Sequence, residues 1–169
     1  LNGRPVIFRI IDKLLDEGFT KLSITVGYKK EIIQKIITEQ YKTIKFEFIP
    51  SEFEKPPGNS LKTSIRYCSE EKLLVILGDS LIENNLTNLI DKNNSFVLSS
   101  QKFTNPKNWC VITQKNQKID KIFDKDSNLH KNKNQYVLIG YYFFNDVKLL
   151  KSILENFNDE DRIEISYVL

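Results

Sequence analysis

The sequence has no apolar run near the roughly 20 residues that a bilayer-spanning helix requires, so a membrane-spanning role is not expected. Soft metal ligands are scarce. One histidine, His130, and two cysteines, Cys68 and Cys110, stand at no metal-ligand spacing, which excludes a zinc site built from them and fits a reduced, cytoplasmic setting. An excess of one charge is lacking too: the net charge is +3, with Lys and Arg mixed among Asp and Glu along most of the chain. Nucleic acid is not implied as a partner. The densest basic stretch, residues 115–133, is interleaved with Asn, Gln and Asp and reads as a solvated surface. No internal repeat, low-complexity linker or second domain is visible in the 169 residues, a length that buries one core without a metal or disulfide.

What the sequence does contain is an alternation of helical and strand patterns. Val6, Ile7, Ile10, Ile11, Leu14 and Leu15 recur at helical spacing, with Pro5 suited to the first turn and Gly18 to the C-terminal cap. Residues 21–26 alternate as a strand closed by Gly27 and Tyr28, residues 29–40 read as a second helix, and 44–49 alternate again. A short helix is predicted over 60–68, with Ser60 as its cap. Leu73-Leu-Val-Ile-Leu77 is a continuous apolar run of the kind found where helices cover both faces of a parallel sheet. A helix over 85–91 and a strand over 95–100 follow. From residue 108 the pattern turns strand-rich, with 109–113, 118–123 and 136–144 forming a mixed sheet or a subdomain over the site. Residues 147–157 are helical by spacing, and 161–169 begin a further helix. The order predicts an α/β fold: a three-layer α/β/α Rossmann-like sheet, mostly parallel with a mixed C-terminal half, whose ligands sit beyond the carboxyl ends of the strands. Tyr141, Tyr142 and Phe143 read as core residues more readily than as an interface, and whether the protein forms a homo-oligomer is open.

The apolar run ends in Gly78-Asp79-Ser80. A carboxylate there, beside a glycine that lets a phosphate approach the backbone, suits a divalent cation, because Mg²⁺ prefers one or two carboxylates completed by phosphate oxygens and water. The alternative is that Asp79 caps a following turn. Histidine bases and cysteine nucleophiles in an organised triad are absent.

Five segments in order carry a resemblance: Asn2-Gly-Arg-Pro-Val-Ile7, Glu17-Gly-Phe-Thr-Lys-Leu-Ser-Ile-Thr-Val-Gly-Tyr28, Leu73 to Ser80, Lys118-Ile-Asp-Lys-Ile-Phe-Asp-Lys125 and Leu138-Ile-Gly-Tyr-Tyr-Phe-Phe144. Together they resemble the nucleotidyltransferase family, of the GT-A-like fold, that makes nucleoside-diphosphate sugars and related activated alcohols. The resemblance implies a Mg²⁺-holding role for Asp79, base or ribose contacts for Gly58, Asn59 and Ser60, contact of Lys125 with the phosphate or hydroxyls of the phosphomonoester, and close approach of a sugar to Gly140. Asp124 stands where the family usually has glutamate, no proline follows Lys125, and Ile139 replaces the asparagine often found before that glycine. The implied substrates are a nucleoside triphosphate and a phosphomonoester, with pyrophosphate released in the synthesis of activated sugars or cell-surface polysaccharide.

The chain starts at Leu1, just after the place where the family has its first strand and Gly-rich triphosphate loop, and it ends near a helix that precedes further family strands. A single nucleotidyltransferase-like domain over 1–169, truncated at both ends, is the expected organisation. Two other classes stay open. One is a non-catalytic domain that binds a nucleotide or sugar phosphate and regulates or scaffolds a partner; the other is a metal-dependent glycosyltransferase, against which the isolation of Asp79 from a second nearby acid argues.

Overall fold

The computed structural model describes residues 3–52, 54–90 and 94–169. Its first helix, α1 (Val6–Asp16), buries Ile10 and Ile11. It stops at Gly18, whose φ of +85° lets the Gly18 and Phe19 amides turn back onto the carbonyls of Leu15 and Leu14 at 3.0 and 2.9 Å. Strand β1 (Leu22–Val26), helix α2 (Lys30–Gln40) and strand β2 (Phe46–Pro50) form a crossover unit with β1 and β2 parallel. The Tyr41 hydroxyl, just past α2, ties this unit to α1 by donating to Asp12 at 2.7 Å.

The remaining strands form a second sheet: β3 (Leu73–Ile76), β4 (Phe96–Ser100), β5 (Cys110–Lys115), β6 (Lys118–Asp124) and β7 (Gln135–Phe144). Tyr142 pairs with both Val75 and Val97, and Val137 with both Val111 and Ser100. A strand has only two edges, so β4 occupies one edge of β7 while β3 and β5 lie end to end along the other. All of these ladders are antiparallel. The β5–β6 hairpin closes through Asn116 and Gln117, both at positive φ (52° and 61°), the geometry that matches the strand twist in two-residue hairpins.

The α/β class stands, but the parallel majority does not: among the described residues β1–β2 is the one parallel pair. Strand β3 is half-buried throughout, not fully enclosed, and among the described residues it pairs with β7 alone. The helix predicted over 85–91 is a single turn at Leu86–Ile90 in its described part, and Asp91 lies outside the described residues. Asn85 caps this turn: its side-chain oxygen takes the Asn88 amide at 3.0 Å and the Thr87 hydroxyl at 2.6 Å. Helix α3 (Pro57–Ser64) starts earlier than predicted, with Pro57 in its first turn, so Ser60 lies inside the helix and is not its cap. The last predicted helix is only a short 3₁₀ segment, Ile165–Val168. Tyr141, Tyr142 and Phe143 are all buried, which places them in the core.

The main core lies between β7, α3, helix α4 (Val147–Glu155) and the C-terminal segment, through Leu61, Ile112, Leu138, Tyr142, Leu154 and Ile163. Asn59 and Gly58 let α3 meet that segment. A Cβ on Gly58 would overlap the Ile163 carbonyl. The Asn59 side chain, 8% exposed, donates to the Asp161 carbonyl at 2.7 Å and accepts from the Ile163 amide at 2.9 Å. Two backbone groups are satisfied in the core by one side chain. Asn59→Ala leaves both buried without a partner and should lower stability by about 2–4 kcal/mol, read as a fall in the urea midpoint at unchanged m-value.

Candidate functional site

Asp79 sits in a tight turn immediately after β3. The turn is closed by the Ser80 amide on the Leu77 carbonyl at 3.1 Å, and it is seated on β7 by the Leu77 amide on the Gly140 carbonyl at 2.9 Å. Gly140 has a φ of +84°, and a Cβ there would overlap the Ser80 side chain. The left-handed residue falls where the β4–β7 ladder shifts register, between the Val97–Tyr142 and Ser99–Leu138 pairs. The Tyr141 hydroxyl completes the seat by donating to the Ser80 carbonyl at 2.9 Å. The result is a fixed turn that presents an exposed carboxylate. Within it the Asp79 carboxylate receives a 3.2 Å bond from the adjacent Ser80 hydroxyl. A Cβ on Gly78 would meet nothing, so space is open beside the carboxylate.

The second group of predicted residues lies at the end of β6. Lys125 is left-handed (φ 50°), its amide bonds the Trp109 carbonyl at 3.1 Å, and its Nζ pairs with Glu164 at 3.2 Å. Asp124 accepts the Ser166 hydroxyl at 2.6 Å. Both are thus held by the C-terminal segment. The Tyr142 hydroxyl is pushed up first by burial and then by the charges of Cys110, Asp124, Asp79 and Glu164. Burial, aided by the charge of Asp124, also pushes the Cys110 thiol up to about 12, so it offers no thiolate near neutral pH.

The structure places the other predicted residues differently. Gly58 and Asn59 pack α3 onto residues 161–163, and both polar ends of the Asn59 amide are used there. Ser60 is half-buried, its Oγ 2.9 Å from that of Ser51. At Gly140 the space a Cβ would take is filled by Ser80, so this residue forms the seat of the Asp79 turn. Among the described residues no three His, Cys, Asp or Glu side chains gather as a metal-holding group. A lone exposed carboxylate with free space beside it suits a hexacoordinate cation that keeps waters and arrives with phosphate.

Glu17, Tyr141 and Tyr142 were not marked out by the sequence. Glu17 lies at the end of α1, where its Oε2 accepts the Leu86 and Thr87 amides at 2.5 and 2.9 Å and its Oε1 pairs with Lys13 at 2.8 Å. Its 62-residue distance from Asp79 along the chain left no local signal.

The architecture is that of nucleotidyltransferases. The chain superposes on the inositol-1-phosphate CTP transferase of T. maritima with a TM-score of 0.79 at 17% identity, covering 99% of this chain and 68% of that one. HddC from Yersinia pseudotuberculosis superposes with a TM-score of 0.72 at 19% identity, over 96% of this chain and 71% of that one. The family model described as nucleotidyl transferase matches residues 1–166, and the chain belongs to that family. Among curated relatives, the UTP–glucose-1-phosphate uridylyltransferase AglF of Haloferax volcanii is 29% identical over 92 residues, 54% of this chain and 37% of AglF. The bifunctional protein GlmU of Methanococcus aeolicus is 27% identical over 165 residues, 98% of this chain and 38% of GlmU. The chain therefore spans less than two fifths of the length of these relatives.

Two outcomes follow from the geometry. Gly140→Ala forces a left-handed alanine against Ser80 and should cost about 1–3 kcal/mol, seen in urea unfolding. For Glu17, burial pushes the carboxyl up, but the Lys13 bond, the Thr87 and Leu86 amides and the Lys13 charge outweigh it, and the net shift is below the usual 4.5. A carboxyl depressed in the folded state gives stability that is complete above its unfolded value and lost as pH falls through the folded one. The urea midpoint should accordingly drop less between about pH 6 and about pH 3 in Glu17→Gln than in the parent.

Proposed function

We propose that the protein carrying this chain transfers a nucleotidyl group from a nucleoside triphosphate to a sugar 1-phosphate or similar phosphomonoester, in the cytoplasm, with Mg²⁺ held at Asp79. The observation that carries the reading is the rigidly seated Gly78-Asp79 turn, which presents one exposed carboxylate beside open space. Family membership and relatives named for UTP with glucose 1-phosphate and for a heptose 1-phosphate support the substrate class.

In the reaction a phosphate oxygen of the phosphomonoester attacks the α-phosphorus of the triphosphate. The new P–O bond forms as the bond to the β-phosphate bridging oxygen breaks, and pyrophosphate leaves with that electron pair. When bound, Mg²⁺ supplies charge neutralisation on the phosphates. The chain's own contribution is positional. Asp79 holds the cation at a fixed place, Gly78 keeps the backbone accessible, and Lys125 supplies positive charge toward the phosphomonoester when it exchanges Glu164 for substrate. No proton transfer from a side chain is required, in keeping with a single exposed histidine and a thiol held protonated by burial.

Pyrophosphate release by the full-length protein, measured across nucleoside triphosphates and phosphomonoesters, should depend on Mg²⁺ and fall on the order of 10²-fold or more in Asp79→Ala. Undiminished release in that variant would remove Asp79 from the mechanism.

A further inference from the structure

The segment that leaves β3 and carries Asp79 has no regular structure between the turn at residues 77–80 and the single helical turn at Leu86. A free segment of that kind would let the carboxylate wander. It is held at two points. The first is the seat on Gly140 and Tyr141. The second is Glu17, whose one oxygen takes two successive backbone amides, Leu86 and Thr87, while the other takes Lys13.

Neither helix stability nor solubility accounts for Glu17. A carboxylate at the C-terminal end of α1 faces the negative end of the helix dipole, which is unfavourable. Its side chain is only 8% exposed, so it adds little to a solvated surface. The two amides are what its position satisfies, and Leu86 beside them is fully buried. We infer that Glu17 is a positioning residue for the Asp79 site, fixing the far end of the Asp79 segment against α1 so that the metal-holding carboxylate keeps one location. This rests on the proposed role of Asp79 in Mg²⁺-dependent nucleotidyl transfer. The Tyr141 hydroxyl holds Ser80 and the Glu17 carboxylate holds Leu86, so the two anchors bracket the residues between them. Loss of Glu17 strands two amide groups and loosens residues 81–90 at a point the sheet does not touch.

The test uses the full-length protein with Mg²⁺ and measures kcat, nucleotide KM, the Mg²⁺ concentration giving half-maximal pyrophosphate release, and amide exchange across 78–90. In Glu17→Ala the half-saturating Mg²⁺ should rise and kcat fall by about tenfold each, as for groups that orient a metal ligand, with KM nearly unchanged. Glu17→Gln, which keeps an acceptor oxygen for both amides, should recover most of the loss. Glu17→Asp, shorter by one methylene but still charged, should shift in the same direction as Ala and covers the case in which Ala does not fold. Faster exchange with unaltered kcat and Mg²⁺ dependence in Ala and Asp would overturn the proposal, as would Gln being as impaired as Ala. If Asp79→Ala retains full activity, the metal role of Asp79 fails and this inference with it; if Asp79→Ala is inactive while the Glu17 variants are unimpaired, only the role of Glu17 fails.

Discussion

Strand β7 is the element against which the larger sheet is registered. Its ten residues pair with β4 along one edge and with β5 and β3 in succession along the other, so one strand sets the position of three. A single left-handed residue, Gly140, breaks that regularity at mid-strand and makes room for the turn after β3. The ladder could not shift there with any residue whose Cβ filled the space taken by Ser80. The Asp79 turn and the sheet irregularity are thus one feature described from two sides.

The buried Tyr142 hydroxyl lies where acids from three parts of the chain are felt. Three carboxylates, Asp79, Asp124 and Glu164, bear on one buried hydroxyl, and that hydroxyl stays protonated. The ion pair between Lys125 and Glu164 keeps the lysine near the acids without burying it, since Lys125 remains 60% exposed.

Much of this was legible from residue spacing. The helices α1, α2 and α4 follow from apolar positions three and four apart, and Gly18 marks the helix end that the backbone adopts. Asp79 was legible because its signal is local: an apolar run, a glycine and an acid. Strand direction was not, because the Leu73–Leu77 run reads the same whether its neighbour is parallel or antiparallel. The packing role of Asn59 was not legible either, because its amide completes the backbone of residues 161 and 163, about 100 residues further along the chain. Glu17 was invisible since its partners lie about 70 residues away.

That same Asn59 contact has a kinetic meaning. The bond to Ile163 spans 104 residues, so its loop-closure entropy is met only after nearly all of the intervening chain has been made. During synthesis the start of α3 emerges with a polar side chain whose core partners do not yet exist. The α3 junction is a late event in folding, completed when residues 161–163 arrive, whereas the β5–β6 hairpin closes over a two-residue turn and needs nothing from the rest of the molecule.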